Sequence, residues 1–166
     1  MERTRHFYHS HEGDLFIYVP QAKFLMVDCV TPGYPPFQGF DITTNCREYL
    51  KVFDELSAYD FDTLVGGHLT DTGGRKDVEM TKEFTYDVYN TVKRIHNNMD
   101  QAVVVAEAAK TLGRDNEIAL FKAVLDKVTN DSVRELQLRW IDRLAWRGCL
   151  AAESCSDCFG LREVGR

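Results

Sequence analysis

Four side chains stand out by type and position. His9 and His11 precede an apolar run in HSHEGDLFIYV, Asp28 closes the next run, FLMVD, and His68 follows a third, TLVGGH. Imidazole and carboxylate together form the donor set expected for Zn²⁺, or for iron or manganese where carboxylates dominate. Side chains at the ends of neighbouring strands converge on one rim of a sheet, the usual place for a site in α/β proteins. By spacing alone, the same residues also read as surface or hydrogen-bonding groups at loops, a reading in which no metal is bound. Tyr34, Phe37 and Phe40 lie in a proline-rich stretch after Asp28, where they either line an apolar pocket or anchor the loop. Cys29 beside Asp28 reads as a small buried residue rather than a nucleophile. Cys155 and Cys158 form a CxxC with no second cysteine pair nearby, and read as helix-borne thiols rather than a zinc knuckle.

These residues need elements to hold them. Asp14 to Val19 is rich in β-formers, Pro20 to Lys23 makes a turn, and Phe24 to Asp28 returns as a second strand of a hairpin. The following CVTPGYPPFQGFDITT holds three of the four prolines and reads as an irregular ordered loop beside strand ends. Asn45 with Glu48 makes a capping box, and Tyr49, Leu50, Phe53 and Leu56 then recur at helical spacing, which predicts a helix to about Ala58. A short strand, Thr63 to Val65, precedes Gly66-Gly67-His68. From about Arg75 onward the pattern is helical. It covers Asp77 to Ile95, Gln101 to Leu112, Asn116 to Val128 and Val133 to Trp146, with Gly113 and a turn at Thr129 to Ser132 as breaks. The apolar stripes on these helices read as core faces. Neither Gly66-Gly67 nor Gly73-Gly74 matches a phosphate-binding loop.

The composition narrows the class. With 166 residues, 44% hydrophobic, 10 Phe and 7 Tyr, the chain is expected to fold as one domain with a real core, a sheet-containing part at 8–75 and a helical part at 76–166. A net charge of −6 gives no electrostatic reason to bind nucleic acid or an anionic membrane. No apolar run approaches the roughly 18 to 20 residues of a membrane span, and MERTRHFYHS lacks the apolar core of a signal peptide. Five cysteines, an odd number, suit a reducing compartment, so a cytoplasmic protein is expected.

The series HEGDLFIYVPQAKFLMVD, then PGYPPF, then YLKVFDELSAYDFDTLVGGHLTDTGGRKDVE resembles the second half of a metallo-β-lactamase-fold hydrolase. In that family a histidine precedes a "GD" or "GN" strand entry, an aspartate ends the next strand and a "GH" follows a later one, and all three bind metal. The resemblance assigns these roles to His11, Asp28 and His68. The HEG spacing is one residue shorter than the family commonly has, which makes His9 a rival for the first position. The likeness covers about Tyr8 to Phe84 and, more loosely, the segment around RELQLRWIDRLA. The family's HxHxDH motif, which belongs to its first half, does not occur in this sequence.

The resemblance implies an α/β (α+β) fold: half of an αββα sandwich, with one small mixed sheet, helices on one side and a helical C-terminal region. A half-sandwich leaves a sheet face in need of cover, here assigned to Phe16, Tyr18, Leu25 and Val27. A homodimer, a separate chain, or helices after His96 folding back would supply it, and two-fold pairing is the most economical. Two functional readings follow. The first is an oligomeric binding or remnant module that keeps metal-site residues. The second is a zinc-dependent hydrolase acting through a metal-bound water, its site completed by a partner chain.

Overall fold

The structure is a computed structural model that describes residues 2–6, 14–28, 30–36, 46–68 and 72–144. The alternation of β-branched and aromatic residues in Asp14–Val19 and Phe24–Val27 makes a hairpin, strands β2 and β3. Its connection is a single 3₁₀ turn, Pro20–Ala22, closed by Lys23 in the left-handed region at φ 46°. Lys23 stitches this turn to the rest of the sheet, because its carbonyl accepts hydrogen bonds from the amides of Asp62 and Thr63 at 2.8 and 3.1 Å.

Among the described residues the sheet has five strands in the order β1 (Glu2–His6), β2, β3, β4 (Thr63–Gly66) and β5 (Thr72–Gly73). The β3–β4 pair is parallel and the rest antiparallel, so the sheet is mixed. The parallel pair needs a crossover, and α1 (Cys46–Ala58) supplies it. The hairpin, α1 and β4 thus lie where the sequence predicts them. Strands β1 and β5 were not predicted. ERTRH carries no apolar alternation and Thr72–Gly73 is two residues long, so each is a strand only through its neighbour's backbone.

Three further helices follow: α2 (Arg75–Asn98), α3 (Gln101–Leu112) and α4 (Glu117–Trp140). The expected break at Thr129 to Ser132 is absent, and α4 runs straight through it. Thr129 and Ser132 are buried, and the Ser132 hydroxyl donates to the Val128 carbonyl at 2.7 Å, which satisfies it inside the helix. Lys127 and Asp131 pair one turn apart across the same stretch. These polar residues are accommodated within the helix rather than in a turn. Helix α3 corrects another expectation, since none of its residues is buried despite its Ala- and Val-rich sequence.

One core joins the layers. Phe16, Leu25, Val27 and Leu64 of the sheet are fully buried and belong to one apolar cluster with Phe53 and Leu56 of α1, Phe84 and Val88 of α2, and Val128, Leu136 and Trp140 of α4. The sheet face expected to need outside cover is therefore covered by the chain's own helices, α1 included, and not only by those after His96. Tyr18 on this face is half-buried, edge-on to Tyr59, with its hydroxyl donating to the Asp60 carbonyl at 2.7 Å. By alternation the reverse face carries Ile17, Val19, Phe24, Met26 and Val65. Four of these are half-exposed and Met26 is 37% exposed.

Polar contacts lock α4 onto α2. Asp87 accepts from Arg139 Nε at 2.9 Å and from Trp140 Nε1 at 2.7 Å, while Arg143 makes a two-pronged pair with Glu83 and lies 4.2 Å from the Trp140 ring centre. The Arg143 guanidinium holds the Glu83 carboxyl below its usual range. Among the described residues no helix is long and apolar enough to cross a membrane.

Candidate metal site

The two central strands end side by side, and their parallel register pairs Val27 with Gly66. The residue after β3 is Asp28, and two residues beyond Gly66 is His68. Their side chains meet, with His68 Nε2 3.5 Å from Asp28 Oδ1. Both are partly open to solvent, at 29% for His68 and 45% for Asp28. A carboxylate and an imidazole at the open rim of a parallel strand pair are groups able to share a cation.

The glycines make this approach possible. A β-carbon on Gly67 would lie 1.6 Å from Asp28 Oδ1 and 2.7 Å from its Cα, so Asp28 fills the space a side chain would take. A β-carbon on Gly66 would lie 2.5 Å from the Val30 carbonyl oxygen. The glycine pair therefore acts as a spacer that admits the end of β3 and the loop behind it. The loop begins with a turn at Thr31 to Tyr34, closed by the Tyr34 amide on the Thr31 carbonyl at 3.1 Å, with Pro32 second and Gly33 third at φ 76°. Proline then positive-φ glycine is the signature of a type II turn. Val30, Thr31, Pro32, Pro35 and Pro36 are buried, so this part of the loop is packed rather than draped. Thr31 Oγ1 is buried and has no hydrogen-bond partner among the described residues.

Of the sequence candidates, the structure brings Asp28 and His68 together and places Tyr34, half-exposed, on the turn beside the Asp28 strand end. His9, His11, Phe37 and Phe40 lie outside the described residues, as do Cys29, Cys155 and Cys158. Gly66 and Gly67 are the positions that sequence reasoning missed. Their signal was present as a doublet before His68, but a close approach is a fact of tertiary structure. Asp28 and His68 are two donors of the right kind, and among the described residues no group of three or more His, Cys, Asp or Glu is placed to hold a metal ion. No family model and no curated protein matches the chain.

Proposed function

We propose that the chain is a metal-binding module of metallo-β-lactamase-like type, in which Asp28 and His68 hold a divalent cation, zinc before iron or manganese. The observation that supports this reading is the 3.5 Å meeting of Asp28 Oδ1 and His68 Nε2 at the partly open rim of a parallel strand pair. His11, with His9 as its rival, is the further donor that the resemblance assigns. A zinc ion at such a site supplies a polarising charge and a bound water of lowered pKa. The protein's part is to position: Gly67 admits the carboxylate, and β3 and β4 hold the two donors in fixed register.

A hydrolase reading needs more donors than the rim supplies, so binding rather than catalysis is the function proposed for the chain by itself. Elemental analysis of tag-free protein after zinc loading and desalting tests this. Stoichiometric zinc in the native chain, lost in both Asp28→Ala and His68→Ala, is expected. No retained zinc in the native protein rejects the reading. His11→Ala, measured alongside, reports whether the segment before β2 adds a donor.

A further inference from the structure

We propose that Pro32, Gly73 and Asp77 are positioning residues of the rim, which hold Asp28 opposite His68 by clasping the loop after β3 onto the start of α2. This rests on the reading of Asp28 and His68 as cation ligands. The clasp is built from glycines in series. Asp28 fills the space of a side chain at Gly67, the Val30 carbonyl and Pro32 fill that of Gly66, and Pro32 fills that of Gly73. A β-carbon on Gly73 would lie 2.7 Å from Pro32 Cβ and 2.8 Å from Pro32 Cγ, and one on Gly66 would lie 3.2 Å from Pro32 Cδ. Pro32 is thus buried and wedged between the ends of β4 and β5, at the second position of the turn that the Tyr34 amide closes. The Gly73-Gly74 doublet, which matches no phosphate-binding loop, takes its place in this clasp.

Asp77 fixes the far side of the wedge. It lies in the first turn of α2, where its Oδ2 accepts from the Gly74 amide at 2.8 Å and its own amide donates to the Gly74 carbonyl at 3.1 Å. The two bonds tie Gly74, and with it Gly73, to the helix. A methyl group on Gly73 would press on this same Asp77 Oδ2 as well as on the proline ring. The ring has no alternative rotamer by which to yield, so relief must come from moving the loop, which carries Asp28 at its other end. Val30 and Thr31 between them are buried, and a packed interior transmits strain rather than absorbing it. Metal–donor distances hold to within about 0.2 Å, so a small displacement of Asp28 is felt as affinity. Groups that orient a ligand from behind typically carry about 10- to 100-fold in metal affinity.

The experiment is zinc affinity of the full chain by competition with a chromophoric chelator, beside urea unfolding of the zinc-free protein. It compares the native chain with Gly73→Ala, Asp77→Ala, Asp77→Asn and Gly113→Ala, each checked for folding by circular dichroism. Gly73→Ala and Asp77→Ala are expected to bind zinc about tenfold more weakly. Asp77→Asn keeps an oxygen acceptor for the Gly74 amide and is expected to stay near the native affinity. Gly113→Ala strains the α3–α4 turn at φ 83°, and should lower stability with zinc affinity unchanged. Native affinity in both Gly73→Ala and Asp77→Ala overturns the clasp while leaving the metal reading intact. Zinc losses that simply follow urea stability across the four variants, Gly113→Ala included, overturn it as well. A native chain with no zinc affinity overturns both the ligand reading and the clasp built on it.

Discussion

Asp28 and Gly67 compete for the same volume, and that competition gives the site its sharpest residue-scale consequence. In Gly67→Ala the new methyl group would sit 1.6 Å from the carboxylate oxygen and 2.7 Å from the Asp28 Cα. Rotating the carboxylate relieves the first contact but not the second, so the ends of β3 and β4 must part. Overpacking of this kind costs about 1 to 3 kcal/mol, to be read from urea unfolding, and zinc affinity should fall at least tenfold. Adding Asp28→Ala to Gly67→Ala should restore part of the lost stability, a non-additivity that independent sites do not show. Equal and additive losses would show that the two residues do not touch in solution. At this scale the sequence displayed the two side chains that meet, because histidine and aspartate at strand ends are visible by type. It hid the spacer, because nothing in a glycine doublet says which side chain will occupy the space it leaves.

Elements were legible wherever their pattern was local. The β2–β3 hairpin, α1, β4, α2 and α3 follow from alternation, helical spacing and a glycine break, and lie within a few residues of expectation. Strand β1 was not legible, since ERTRH becomes a strand only by pairing with β2 from Glu2–Tyr18 to His6–Asp14. The continuity of α4 was hidden for the opposite reason: Thr129 and Ser132 favour turns in isolation but are buried within a helix that packs against α2. That partnership also sets a pH dependence. Arg143 donates to Glu83 and lowers its pKa in the folded chain relative to the ordinary 4.5. A depressed carboxyl stabilises the fold above the ordinary value, and the stabilisation fades as pH falls through that value toward the folded one. Both side chains are about half exposed, so the effect is small and salt-sensitive. Thermal melts from pH 6 to 3 should therefore fall more gently for Glu83→Gln than for the native chain. Identical slopes would mean that the pair does not form in solution.

The whole molecule is unevenly stabilised, and the imbalance can be measured. Helices α2 and α4 share a core with Phe84, Val88, Leu136 and Trp140, all essentially inaccessible to solvent, whereas α3 touches that core with no buried residue at all. What holds α3 is one side against α4, an Asp100 cap on the Val103 amide at 3.2 Å and the turn at Gly113. Val103 and Leu112 on α3, with Ile118 and Phe121 at the start of α4, stay 63, 44, 71 and 51% exposed. Local opening is cheapest where few apolar contacts are lost, so α3 should open without the rest of the chain. Hydrogen exchange should show amides from Val104 to Thr111 at least tenfold less protected than those from Phe84 to Val92. Gly113 sits at φ 83°, a backbone that a side chain takes only under strain, so Gly113→Ala should loosen α3 further by about 1 kcal/mol. The same change should leave exchange in α2 untouched, because the strain lies outside the shared core. Protection in α3 equal to that in α2 would reject this picture and mean that α3 is covered in solution by more than its contact with α4.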